Sequence, residues 1–269
     1  MGDGFAVLGE RSVAEHTEWV QRQIRASPQN AGLRLALCHF LALRGEWQRA
    51  EDQLKLATKL DPTFTPAIVS GNADWVEQLL SAAALPAERT DEAAALREAA
   101  RDAAPALQGT LTTIDRSDAR GVQALDGEPA SHSDFAWLCD GDARIGAVLE
   151  LFTPSGYAWL PLPAVRRIKF SRPEHLVDLL WAPAMIELQD GRGLNGLVPV
   201  RYPGALDAQD DEAVLGRRTD WLPLAGEAQY AGVGQRTLIS EAGDHSLLDI
   251  RQIELADAAA AGDGERVVQ

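Results

Sequence analysis

The chain has 269 residues, of which 46% are hydrophobic and 24% charged, and its formal net charge is −15. That length fits about two domains of roughly 150 residues each, and the apolar fraction is enough for a packed core rather than a disordered chain. The acid is concentrated late, with 25 of the 40 acidic side chains in residues 109–269, and such a balance repels phosphate backbones and argues against a nucleic-acid partner.

Two cysteines, Cys38 and Cys139, are too few for a disulfide framework or a four-thiolate zinc site. The opening MGDGFAVLGERS has no basic segment leading into an apolar run, so no secretory signal is expected. No apolar stretch approaches the roughly 18 residues needed to span a bilayer. The expectation is a cytoplasmic protein with no membrane partner and no cofactor.

In chain order, Ser12-Val13-Ala14-Glu15 matches a capping box and predicts a helix from Val13 to Ala26, ending before Ser27-Pro28. Asn30 is placed to cap a second helix, Ala31 to Leu43, which Gly45 ends. A third runs from Glu46 to Leu60 and stops at Asp61-Pro62. Pro28 and Pro62 stand 34 residues apart, the tetratricopeptide period. Leu37, Cys38, Ala50, Leu54 and Ala57 then fall on the facing positions of one helical pair, and a further unit can be placed over residues 74–105 with Ala93 and Ala100 at the small positions. Stacked pairs of this kind leave a concave surface for a partner helix or peptide, although the same helices can equally be a structural cap on the C-terminal domain. With no second ligand at i+4, His16 is expected at the surface and His39 in the core.

Residues 109–134 carry glycines and scattered charge with little periodicity and read as a linker. Strands are then expected over Ile145–Phe152, Tyr157–Leu162 and Val165–Phe170. In the last, simple alternation puts Val165, Arg167 and Lys169 on one face. Pro173 and Glu174 open a short helix to Leu180, and Asp190-Gly191 joins Ala184–Gln189 to Leu194–Tyr202 as a hairpin. Arg236–Ser240 and Leu247–Leu255 supply the last strands. The expected fold is α+β. A tetratricopeptide-like helical domain covers 1–108, a linker 109–134 and a compact, mainly antiparallel β-rich domain with a short helix 135–256. A flexible tail covers 257–269.

Few residues look reactive. His175 and Asp178, at i,i+3, are the only hint of a metal-dependent hydrolase, without an HExxH pattern. Arg166, Arg167, Lys169 and Arg172 form a basic cluster that either binds an acidic segment or pairs with the domain's own carboxylates. Gly232-Val233-Gly234 lacks the third glycine of a dinucleotide loop and precedes a strand rather than a helix. No G-x-S-x-G elbow or Walker loop is present.

Ordered blocks carry a resemblance. GEWQRAEDQLKLATKLDP, RIGAVLELF, YAWLPL, RPEHLVDLLWAPAMIEL, LVPVRYPG, RRTDW and GVGQRTL together resemble the ImpE family, also called TagJ or SciE, accessory proteins of bacterial type VI secretion. The resemblance implies a non-enzymatic cytoplasmic adaptor. It would contact the N-terminal helix of the contractile sheath's small subunit and link it to the AAA+ ATPase that disassembles the sheath. It transfers no catalytic residues. The residues taken as candidate partner contacts are Arg34, Leu41 and Trp47 on the helices, with Arg201, Tyr202, Asp220 and Trp221 in the β-rich part. A chaperone for secreted effectors and the His175/Asp178 hydrolase are the competing readings.

Overall fold

The computed structural model describes residues 12–64, 107–114, 130–153, 156–202, 210–224 and 229–256. It opens with helices α1 (Val13–Ala26), α2 (Ala31–Leu43) and α3 (Trp47–Leu60). Local chemistry sets their ends. Ser12 Oγ accepts the Glu15 N–H at 3.1 Å while the Glu15 carboxylate accepts the Ser12 N–H at 2.8 Å. Asn30 Oδ1 takes the Leu33 N–H at 3.1 Å. Gly45, at φ 73°, turns the chain out of α2 through the left-handed region.

The rest is mostly strand: β1 (Gly109–Ile114), β2 (Ala130–Phe135), β3 (Cys139–Asp140), β4 (Val148–Thr153) and β5 (Gly156–Pro161) come first. They are followed by β6 (Val165–Phe170), β7 (Trp181–Leu188), β8 (Gly193–Pro199) and a four-residue helix α4 (Asp211–Val214). The chain then adds β9 (Thr219–Pro223), β10 (Tyr230–Gly234), β11 (Thr237–Ser240), β12 (Gly243–Ser246) and β13 (Ile250–Leu255). Eight strands form one antiparallel sheet in the order β2-β1-β13-β6-β7-β8-β4-β5, beside a three-stranded sheet β12-β11-β3 and a ribbon β10-β9.

This corrects the expected fold class. The protein is β-rich, with thirteen strands among the described residues and a helical N-terminal part, and those residues contain no tetratricopeptide array. The second helical unit, placed at 74–105, lies outside the described residues. The 34-residue spacing of the prolines measures one helical hairpin whose apolar face is not stacked on another hairpin among the described residues. Leu37, Phe40, Leu41 and Leu43 share a core with Val177, Leu179, Trp181, Leu197 and Val214 of the β-rich part. The stretch 109–134, read as a linker, contributes β1 and the start of β2. β1 is half Thr, and β2 is Ser, His and Asp between Ala and Phe, so neither shows a clear apolar alternation. The predicted helix from Glu174 is only a 3-10 turn, Leu176–Leu179. Val165 and Arg167 do not share a face, because a bulge between them resets the alternation and buries Val165 with Ile168 and Phe170.

The large sheet has two differently used faces. Ala182, Ala184, Ile186 and Leu188 of β7 point into the main core with Leu111, Leu149, Leu151, Ile168, Val198 and Ile253. Trp181 and Leu197 point the other way and seat the helices. Trp47, at the start of α3, lies 6.0 Å from Trp181 between ring centroids. Leu41 is at the middle of this seat and is 1% exposed. Leu41→Ala should cost about 2–5 kcal/mol in equilibrium urea unfolding, as a cavity in a packed core does. A surface contact residue would change stability by no more than about 0.5 kcal/mol.

Candidate functional site

Two charged side chains of the β-rich part close the ends of the helices. Arg201 lies just beyond β8, and its Nη1 donates to the carbonyl of Leu43 at 2.6 Å and to that of Val214 at 2.8 Å; its Nη2 reaches the Ala42 carbonyl at 3.4 Å. Leu43 and Val214 are the last residues of α2 and α4, so one guanidinium serves the C-terminal carbonyls of both helices, which no further turn of helix can satisfy. Asp211 of α4 acts at the opposite pole. Its carboxylate accepts the Val13 N–H at 3.1 and 3.2 Å, at the first residue of α1. Burial pulls the Arg201 guanidinium down to about 10, and it remains a cation at neutral pH.

Beneath this seam lies a second network around Arg236, which is 1% exposed. Arg236 bonds Asp140 Oδ2 at 2.8 Å, the Pro199 carbonyl at 3.1 Å and the Glu150 carboxylate. Tyr202 Oη donates to Asp140 Oδ1 at 2.7 Å and accepts the Thr237 N–H at 3.0 Å, while Tyr157 donates to Glu150. Asp142 takes the Gly232 N–H at 2.9 Å and pairs with Arg144. Burial raises the Asp140 carboxyl to about 6, with Arg236 partly offsetting it. Burial also works against the charged Arg236, but Glu150 and Asp140 outweigh it and hold that guanidinium above its ordinary value. For Asp142 burial again acts upward, and the hydrogen bonds from Arg144 and Gly232 leave it below the usual range. The G-V-G motif belongs to this packing. A Cβ at Gly232 would lie 2.2 Å from the Tyr202 ring, and one at Gly234, at φ +91°, 2.2 Å from the Arg218 carbonyl.

The structure therefore divides the candidate contacts. Tyr202 is buried and Arg201 half-buried, and Trp221 packs 5.8 Å from the Tyr202 ring. Asp220 is at the surface, paired with Arg218 at 2.8 Å. Arg34 is tied to the Pro28 carbonyl at 3.1 and 3.2 Å and to Gln53 at 3.1 Å. Trp47 is half-buried on Trp181, and Leu41 is core. His16 is buried rather than at the surface, stacked on Phe40 with ring centroids 5.5 Å apart. Asp178 accepts the Glu174 and His175 N–H groups at 2.8 Å, so it caps the 3-10 turn. No group of three His, Cys, Asp or Glu among the described residues is arranged to hold a metal ion.

Asp140, Glu150, Gln235 and Arg236 do not stand out in the sequence, because charged and amide side chains read as surface. The available signal is their setting, a lone Glu within AVLELF and an Arg opening the strand-like run TLIS. Among the described residues, no helix is long and apolar enough to cross a membrane.

The fold and the seam thus define a protein whose three-helix arm is fixed by half-buried charge onto a large antiparallel sheet. The chain belongs to the ImpE/TagJ family. A family profile described as ImpE protein matches residues 132–254. The type VI secretion system accessory component TagJ of Pseudomonas aeruginosa is 37% identical over 261 residues, covering 87% of this chain and 84% of that protein. The crystal structure of protein VPA1032 from Vibrio parahaemolyticus has a TM-score of 0.69 at 20% identity, covering 92% of this chain and 95% of that one, and shows the same fold.

Two measurements check the site. Arg236→Met leaves Asp140 and Glu150 buried without their cation and should destabilise the fold by about 3–5 kcal/mol in urea titrations. The second is a pH dependence in which two groups act in opposite senses. Asp140 rises from 3.8 to about 6, so the stability its protonation lends is complete below about pH 3.8 and lost as pH rises through about 6. His39 has its Nε2 sealed from solvent and without a hydrogen-bond partner among the described residues. Burial, with nearby His175, lowers it from 6.5 to about 4, so its contribution is complete above about pH 6.5 and lost as pH falls through about 4. His39→Gln should therefore flatten the fall in stability between pH 6.5 and 4, and a slope identical to wild type would mean that His39 titrates normally.

Proposed function

We propose that this chain is a non-enzymatic cytoplasmic adaptor of bacterial type VI secretion, which holds the N-terminal helix of the sheath small subunit and links it to the sheath-disassembling AAA+ ATPase. The observation that supports this reading most is the 37% identity to an accessory component of that secretion system over 87% of the chain. The geometry is compatible in kind. The half-buried charges of the seam, Arg201 and Asp211, hold the helical arm, which leaves outer surfaces of α1 and α3 to meet a partner. Leu56 and Leu60 of α3 stand at i,i+4 and are 40% and 36% exposed, and Trp19 of α1 is 37% exposed. An amphipathic partner helix presents apolar anchors at the same spacing.

Of the residues read as contacts from sequence, Asp220 is exposed, and Arg34, Trp47, Arg201 and Trp221 are half-buried. The buried Leu41 and Tyr202, and Arg201 through its bonds to the helix ends, act through the shape they maintain. Co-purification of the full chain with the sheath small subunit, with and without that subunit's N-terminal helix, tests the reading. Deleting the helix, or introducing Leu56→Glu and Leu60→Glu together, is expected to lower capture at least tenfold. Undiminished capture of the helix-deleted subunit would refute the helix-binding mode, and no capture of either form would refute the sheath adaptor.

A further inference from the structure

The eight-stranded sheet has two edge strands, and they are finished differently. β5 ends in Pro161, which has no N–H to offer a further strand. β2, at the other edge, reads ASHSDF, with no proline, no lysine and no bulge against β1, and among the described residues no strand lies beyond it. Native sheets ordinarily carry one of those devices on an open edge, because unpaired N–H and C=O groups there template another strand.

The register shows which groups are open. The Ala256 N–H bonds the Gln108 carbonyl at 2.8 Å, so in the ladder between β1 and β13 it is Thr110 and Thr112 that turn their backbone groups to β13. Gly109 and Leu111 then bond Phe135 and Ser133 of β2. The N–H and C=O of His132 and Asp134 are left pointing away from the sheet. Both of these side chains are exposed, on the face away from the main core, whereas Ser133 stands with Leu111 on the core face. His132 Nδ1 lies 2.9 Å from Thr112 Oγ1. A neutral ring that accepts that hydroxyl carries its proton on Nε2, ready to donate outward.

We infer that β2 pairs antiparallel with β2 of a second copy of this chain, about a two-fold axis at Ser133. Residues whose backbone groups point outward must meet others that do so, which restricts the register. An axis at His132 sets two imidazoles directly opposite, and an axis at Asp134 sets two carboxylates opposite, an unfavourable pairing of like groups. An axis at Ser133 sets His132 opposite Asp134 of the second copy, and symmetry repeats the pair on the other side of the axis. Each imidazole then has a carboxylate to donate to, each of these residues exchanges both backbone bonds with its opposite, and only two small serines meet on the axis. A strand of another protein could meet the backbone equally well, but β2 itself carries the side chain that each of its outward residues needs across from it. One strand pair buries less than the roughly 1,200–2,000 Å² of a stable complex, so the dimer depends on concentration. This edge belongs to none of the elements invoked for the sheath helix, and the inference does not require that reading.

Sedimentation of the purified full chain over a hundredfold range of concentration tests it, together with mild oxidation of cysteine variants. The chain should pass from monomer to dimer as concentration rises. His132→Asp, which opposes two carboxylates, should weaken the dimer at least tenfold, and adding Asp134→Lys to it should restore the dimer, because the exchanged charges face each other again. Ser133→Cys should give a covalent dimer, since directly opposite residues of a non-hydrogen-bonded pair have Cα atoms about 4.5 Å apart, within disulfide reach. Ser131→Cys, set opposite Phe135 of the second copy, should give no more covalent dimer than wild type with its own two cysteines. All of these positions are at least partly exposed, and each variant is compared at an unchanged melting temperature. A chain that stays monomeric throughout, a dimer indifferent to His132→Asp or not restored by the double variant, or equal crosslinking at positions 131 and 133 would overturn the inference.

Discussion

The arrangement depends on a single guanidinium. Arg201 gathers the terminal carbonyls of α2 and α4, which would otherwise be buried without donors. Hydrogen bonds from a charged group contribute roughly 1.5–3 kcal/mol, and a cation at a partly buried helix C-terminus adds up to about 2 kcal/mol. Asp211 does the converse at the start of α1. The β-rich part therefore offers a negative group to one helix pole and a positive group to another, and only one placement of the arm satisfies both. Apolar burial between Leu41, Trp181 and their neighbours supplies adhesion without direction. The two charges supply direction.

Arg201 is itself placed by the strands beneath it. Arg201 bridges Gln235, the Arg236 N–H donates to the Val200 carbonyl at 2.7 Å, and the Tyr202 N–H to that of Gly234 at 3.0 Å. Arg236 then ties this crossing to β3 and β4 through Asp140 and Glu150. Each carboxylate also accepts a tyrosine hydroxyl, so two buried acids share one buried cation while also bonding a neutral donor. Such a network is unfavourable to break and specifies one arrangement of strands rather than several. It gives the protein a stiff base on which a binding arm is carried.

Legibility in the sequence depends on how locally each element is determined. The three helices are legible to within a residue, because Ser12, Glu15, Asn30, Pro28 and Pro62 act on their own neighbours. The hairpin at Asp190-Gly191 is legible for the same reason. The larger architecture is not, because a helical hairpin has the same period whether it stacks on another hairpin or lies on a sheet. β1 and β2 are hidden because their residues are polar and β1's second partner, β13, is remote in sequence. Arg201 and Tyr202 stand out as a polar and aromatic pair, but their partners lie 158 and 62 residues away. Chemistry marks them as special, and only the tertiary structure assigns Arg201 to the half-buried seam and Tyr202 to the interior.

The central claim is that Arg201 holds the helical arm to the sheet. Hydrogen exchange of the full chain, read by mass spectrometry, tests it with Arg201→Ala. Amides of α1, α2 and α3 are predicted to lose protection by one to two orders of magnitude, while those of β6, β7 and β13 keep theirs. Unchanged protection of the helices, or an equal loss across helices and sheet, would contradict the claim.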